Sequence, residues 1–234
     1  MTSRIARLAF VALAFILGGA QSRAAPPGAA EALPVPYLPG GVTLDGRLAE
    51  PQWRRAARIT HADFSLWKAD RYEKDPSELV VRFFHEGTHL YVALSSYDRF
   101  VEPASPPENS DGLYSFSVVT RAGAIQHYRL RWSANPPVPG GEMIAPGKWG
   151  ARLRGPFADP SREGGGYVIE FAVPLAALGW KPGDTVPVNI IVQDHDGAPG
   201  RRHDEPGVEF ARLYWGSLDN ENRAGFRALK LVKP

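Results

Sequence analysis

The sequence predicts an all-β fold, an antiparallel β-sandwich with short helical turns. Two features of the whole chain point there. Apolar runs alternate with period two and are cut at short intervals by Gly, Pro, Asn and Asp, and almost no stretch keeps a helical repeat beyond a turn. A third observation is local. Over residues 165–197, Tyr167, Ile169, Phe171 and Val173 fall on one face and Val168, Glu170 and Ala172 on the other, which predicts a half-buried strand. Pro174 lacks the N–H that the ladder needs but suits the first turn of a helix, so Leu175-Ala176-Ala177-Leu178 is expected to close one turn before Gly179. After the turn residues Lys181-Pro182-Gly183-Asp184, Val186, Val188, Ile190 and Val192 alternate again as a strand.

At 234 residues with 44% hydrophobic composition, the chain is long enough for one domain with a substantial core. Arg4 and Arg7 precede an apolar run of about ten residues, too short to span a bilayer and of secretory-signal type. Residues 1–24 are read as a signal peptide cleaved after Ala24, which predicts a periplasmic or secreted protein with no membrane span in the mature chain. The absence of cysteine excludes disulfides, thiolate metal sites and a cysteine nucleophile. A net charge of +2 gives no sign of nucleic-acid binding.

Residues 25–38 are Pro/Ala-rich without periodicity and are expected to form an extended linker, leaving 39–234 as the sandwich. Residues 42–46 look like a strand entering a turn, followed by a short helical turn that carries Trp53 into the core. Two hairpins follow. The first joins 79–84 and 90–97 through His85-Glu86-Gly87-Thr88; the second joins 113–120 and 125–132. Simple alternation in the second puts Tyr114, Phe116 and Val118 on the core face and Ser115 and Ser117 on the wet one, while Tyr128, Leu130 and Trp132 oppose His127, Arg129 and Arg131. The Pro/Gly-rich loop 133–148 reads as a rim, and strands are expected at 149–153, 209–215 and 226–232.

Taken in order, Val42-Thr43-Leu44-Asp45-Gly46-Arg47-Leu48-Ala49-Glu50-Pro51-Gln52-Trp53, Leu90-Tyr91-Val92-Ala93-Leu94 with Asp98, Ser110-Asp111, Gly166-Tyr167-Val168-Ile169-Glu170-Phe171-Ala172-Val173-Pro174 and Val188-Asn189-Ile190 resemble the family 9 carbohydrate-binding modules. The resemblance runs over nearly the whole mature chain. It implies a sandwich of immunoglobulin-like or DOMON-like architecture, soluble sugars or glycan chain ends bound on a concave sheet face and, in some members, structural calcium. It also implies a role for Arg129, which matches the family's sugar-contacting arginine. The two tryptophans between which family members hold the sugar ring are not found at their places. Tyr114 stands where the family's sugar-binding glutamate would fall, and the last loop, 216–225, offers Asn220 and Asn222 but no aromatic.

A pyranose needs an aromatic surface for its C–H face and planar polar groups for paired hydroxyls. Arg129 suits the second task with its fixed fork of donors, and Trp149 at the rim is the candidate for the first. Carbohydrate binding through Arg129, Tyr114, Asn220 and Trp149, without catalysis and in the service of glycan degradation, is the expected function. The competing readings are a sandwich used for protein–protein contact at the envelope, and a DOMON-like haem domain using Met143 near Lys148. Asp194-His195-Asp196-Gly197 with His203-Asp204-Glu205 is the candidate calcium loop, though it lacks the twelve-residue calcium pattern. The chain has no Gly-x-Ser-x-Gly or His-Glu-x-x-His motif, and Glu170 is read as a structural carboxylate.

Overall fold

The computed structural model describes residues 31–68, 78–97, 112–132, 139–140, 148–154, 165–196 and 209–234. The compact unit runs from Glu31 to Pro234. Residues 1–30, the signal segment included, lie outside the described residues, as do 69–77, 98–111, 133–138, 141–147, 155–164 and 197–208.

Thirteen strands are described: β1 (Leu33–Val35), β2 (Ala57–Thr60), β3 (Ser65–Lys68), β4 (Glu78–His85), β5 (His89–Tyr97), β6 (Gly112–Val119), β7 (Ile125–Trp132), β8 (Pro139–Gly140), β9 (Lys148–Arg154), β10 (Gly166–Pro174), β11 (Thr185–Asp196), β12 (Glu209–Trp215) and β13 (Arg227–Leu231). Two short helices, α1 (Pro51–Arg55) and α2 (Leu175–Leu178), join them. The strands form a five-stranded sheet, β2-β4-β5-β10-β9, and an eight-stranded sheet. In the larger sheet the order β1-β13-β11-β6-β7-β8 is extended by β12, which pairs the C-terminal half of β11, and by β3 beyond it.

The apolar sides of the two sheets meet in one core, as the all-β reading requires. Val81, Phe83, Val92, Ile169 and Phe171 from the smaller sheet pack with Phe116, Tyr128, Val188, Ile190 and Leu213 from the larger. Aromatic contacts bridge the layers: the Phe171 ring lies 5.3 Å from Phe116 and 5.9 Å from Tyr128, centroid to centroid.

Four expectations change. Residues 31–38 are not a free linker. Leu33–Val35 pairs in parallel with β13, Val35 is fully buried, and Tyr37 bridges to His85, because the apolar side chains Leu33, Val35 and Leu38 drive this segment onto the sheet despite its prolines. Residues 42–46 form no strand but a loop that crosses the outside of the smaller sheet. This loop lies so close to β9 that a Cβ on Gly150 would stand 1.9 Å from the Leu44 carbonyl oxygen. With α1 it covers the outer face of β4, β5 and β10, where Leu38, Trp53, Phe84, Tyr91, Ala93 and Ala172 make a second apolar cluster. Strand β10 is therefore buried on both faces rather than one. Finally, β11 continues through Asp194-His195-Asp196, which were expected to open a loop, and Asp194 is 2% exposed within the strand.

Candidate functional site

With the outside of the smaller sheet covered, the outer face of the larger sheet is the one on which polar and aromatic side chains gather. Register fixes what meets there. Tyr214 opposes Ile191 and Ser65; Arg212 opposes Gln193 and Trp67; Asn189 opposes Ser117, which opposes His127.

A β-bulge decides the place of Tyr114. Between the pairs Leu113–Leu130 and Phe116–Tyr128, two residues of β6 face one of β7, so the alternation slips by one. Tyr114 leaves the core face to which simple alternation assigns it and lies beside Arg129, 5.6 Å from its ring centroid to the guanidinium carbon. From the other side Arg212 stands 4.3 Å over the same ring and also bonds the Tyr114 side chain. Burial lowers the Arg212 pKa, and its interactions with the Tyr114 side chain, a hydrogen bond among them, oppose that shift. Next to Arg212 in the ladder, Trp67 keeps 40% of its surface exposed. The face thus presents a partly exposed indole, a half-buried phenol ring and two guanidinium forks.

One end of this face is built by hydrogen bonds. Asn189, fully buried, donates from Nδ2 to the Ser217 carbonyl (2.9 Å) and to Asn220 Oδ1 (3.1 Å), and its Oδ1 accepts the Ser217 N–H (2.7 Å). Ser117 Oγ lies 2.9 Å from His127 Nδ1 and 3.3 Å from Asn220 Oδ1, and His127 Nε2 reaches Glu221 Oε1 at 3.2 Å. Serine, histidine and glutamate in line invite an enzyme reading, but a nucleophile must meet its substrate. Ser117 is fully buried and its hydroxyl is held between His127 and Asn220, so the line anchors the 216–225 loop instead. The Asn220 carbonyl is taken up in this network, which leaves its amide N–H groups as the end that can serve a ligand.

Of the four residues picked from the sequence, the structure brings Tyr114, Arg129 and Asn220 to this sheet face and its rim. Trp149 lies elsewhere. It sits in β9 of the smaller sheet opposite Phe171, partly buried against the core, where it lines a cavity of about 720 Å³ with Tyr91, His89 and Lys148. Trp67 is the aromatic that sequence reasoning passed over. Its signal was the alternation Phe64-Ser65-Leu66-Trp67, too short to rank as a strand without its partner β12.

Glu170 is structural, and its partners explain why a carboxylate interrupts an apolar strand. It is fully buried, and its Oε2 accepts the backbone N–H groups of Asp45 (2.8 Å) and Gly46, pinning the covering loop to β10. Burial raises its pKa, with Glu50 and Asp45 adding to the rise and the two backbone hydrogen bonds opposing it.

Among the described residues no group of three or more His, Asp or Glu side chains could hold a metal ion. Gly197 and the candidate calcium ligands His203, Asp204 and Glu205 lie outside the described residues, as does Met143 of the haem reading. No helix among the described residues is long and apolar enough to cross a membrane.

Neither a family model nor a curated protein matches the sequence. Solved structures do match the fold. A family 9 carbohydrate-binding module from Caldicellulosiruptor kristjanssonii in complex with cellotriose is similar at a TM-score of 0.56 and 15% identity, over 87% of this chain and 95% of that one. A family 9 module from the same organism in complex with glucose is similar at 0.53 and 16%, over 86% and 96%. The chain has the all-β sandwich fold of these modules.

Proposed function

We propose that this protein is an exported, non-catalytic carbohydrate-binding protein of the family 9 module type, accessory to glycan degradation, that holds sugars or glycan chain ends on the outer face of its larger sheet. The observation that carries the reading is the convergence of Trp67, Tyr114, Arg129 and Arg212 on one face. Trp67 offers the exposed part of its ring to the C–H face of a pyranose, and the guanidinium of Arg129 offers planar donors to adjacent oxygens. Support comes from the fold, which is that of modules solved with cellotriose and with glucose. Export rests on the basic and apolar N-terminus.

A glycan array probed with the full chain, followed by calorimetry on the strongest signal, tests this. Binding to oligosaccharides that Trp67→Ala weakens tenfold or more, with the melting temperature unchanged, is the expected result. Silence on every mono-, oligo- and polysaccharide, from protein shown to be folded, overturns it.

A further inference from the structure

The same face carries charge that a neutral sugar does not use. Among the described residues the Arg129 side chain forms no ion pair and no hydrogen bond, and its Nε is buried without an acceptor. Its guanidinium lies against the Tyr114 ring, which a second cation, Arg212, also contacts. No aspartate or glutamate occupies a described position on the outer face of β3, β6, β7, β11 or β12; of the two carboxylates in the rim loop, Asp219 accepts the Glu221 N–H and Glu221 bonds His127. Arginines held half-buried ordinarily have carboxylate partners within reach, because their charge is costly to desolvate. Here a planar fork faces a site with an aromatic platform and no described counter-charge of its own.

We propose that the ligand supplies that counter-charge: the site takes a glycan bearing hexuronic acid residues, with one uronate carboxylate on the Arg129 fork and another sugar unit of the same glycan, further across the sheet, against Trp67. A carboxylate matches the guanidinium bidentately, which selects it over a hydroxyl pair by charge and over a lone cation contact by geometry. The inference rests on the sugar-binding reading of this face and adds the class of sugar.

The test uses the full chain and pairs of oligosaccharides that differ only in charge: oligogalacturonides, oligomannuronides and oligoglucuronides, each beside the same oligomer after carboxyl reduction to the neutral sugar. Calorimetry is expected to show at least tenfold tighter binding to one of the acidic oligomers than to its reduced twin, with the gap narrowing in 0.5 M NaCl as an ion pair requires. Arg129→Gln, which keeps a planar polar group without charge, is expected to bring the acidic oligomer down to the affinity of its reduced twin. Arg129→Lys, which keeps the charge without the fork, should retain part of the gap. Equal or tighter binding of the reduced oligomers overturns the uronate proposal while leaving sugar binding intact. Binding of neither form, nor of any glycan on the array, overturns both.

Discussion

The imidazole of His85 donates from Nε2 to the carbonyl oxygen of Val232 at 2.8 Å, joining the end of β4 to the last residues of the chain. His85 is fully buried and Tyr37 packs edge-on against its ring, 5.6 Å between centroids. With Nε2 carrying the proton, Nδ1 is the lone-pair nitrogen, and it is buried with no partner among the described residues.

Acid should therefore loosen this clamp. Burial holds the His85 pKa below the ordinary histidine value, with the Val232 hydrogen bond and Glu86 opposing the shift. The unfolded chain then binds a proton that the folded one does not, so the stability contribution is present above about pH 6.5 and is lost as pH falls toward the folded pKa, by at most about 1.4 kcal/mol per pH unit. Urea unfolding of the native chain and of His85→Gln across pH 5–8 checks this. The difference between the two should shrink or reverse as pH falls, and parallel pH profiles would remove His85 as the titrating group.

Glu170 titrates with the opposite sign. Its folded pKa is raised, so its contribution is greatest below the ordinary carboxylate range and declines as pH rises through the folded value. Glu170→Gln keeps an acceptor for the Asp45 and Gly46 N–H groups and should gain stability relative to the native chain as pH climbs above about 4.5. Glu170→Ala leaves both donors unpaired and should cost about 3 kcal/mol, with the loss reported as faster amide exchange at Asp45 and Gly46. Equal stability of the Ala and Gln variants at every pH would mean that the loop is held by packing alone.

These two groups mark the boundary of what the sequence discloses. The hairpins β4–β5 and β6–β7 and the β10–α2–β11 corner are legible because their signals are local: period-two alternation, Pro174, and turn residues at the right spacing. Segments that depend on distant partners are not. The parallel pairing of Leu33–Val35 with β13 spans nearly the whole chain, and nothing in three residues with a proline at the centre and another just after announces it. The site shows the same division. Alternation in a regular strand puts Arg129 on the outer face, its role coming from the family resemblance, whereas Tyr114 reaches that face through a one-residue slip, and a bulge inverts the parity on which any strand reading depends. Trp67 is placed by β12, more than 140 residues further along the chain.

The loop 216–225 at the rim depends on Asn189. That side chain satisfies both backbone polar groups of Ser217 and reaches Asn220. Asn189→Ala should destabilise the fold by about 2 kcal/mol by leaving a buried N–H and C=O unpaired, and should expose the loop to limited proteolysis. Glycan affinity should fall with it. Asn220→Ala keeps the Asn189–Ser217 bonds and should leave the melting temperature within a few degrees. Proteolysis at 216–225 that is no faster in Asn189→Ala than in the native chain would show that the loop is anchored otherwise.

The last prediction separates the two ends of Tyr114. Its ring lies between the Arg129 and Arg212 guanidiniums, and its hydroxyl takes a hydrogen bond from Arg212. Tyr114→Phe keeps the ring that fixes Arg129 and removes only the hydroxyl, so glycan affinity should change less than threefold, at a cost in stability of about 1 kcal/mol. Tyr114→Ala removes the surface against which both forks are held. Arg129 would then reach the ligand only after losing side-chain freedom that the ring already restricts, and affinity should fall about tenfold or more. Calorimetry with the strongest array ligand reads both variants. If Phe were as damaging as Ala, the hydroxyl itself would be the ligand-binding group, and the ring would have no part in positioning Arg129.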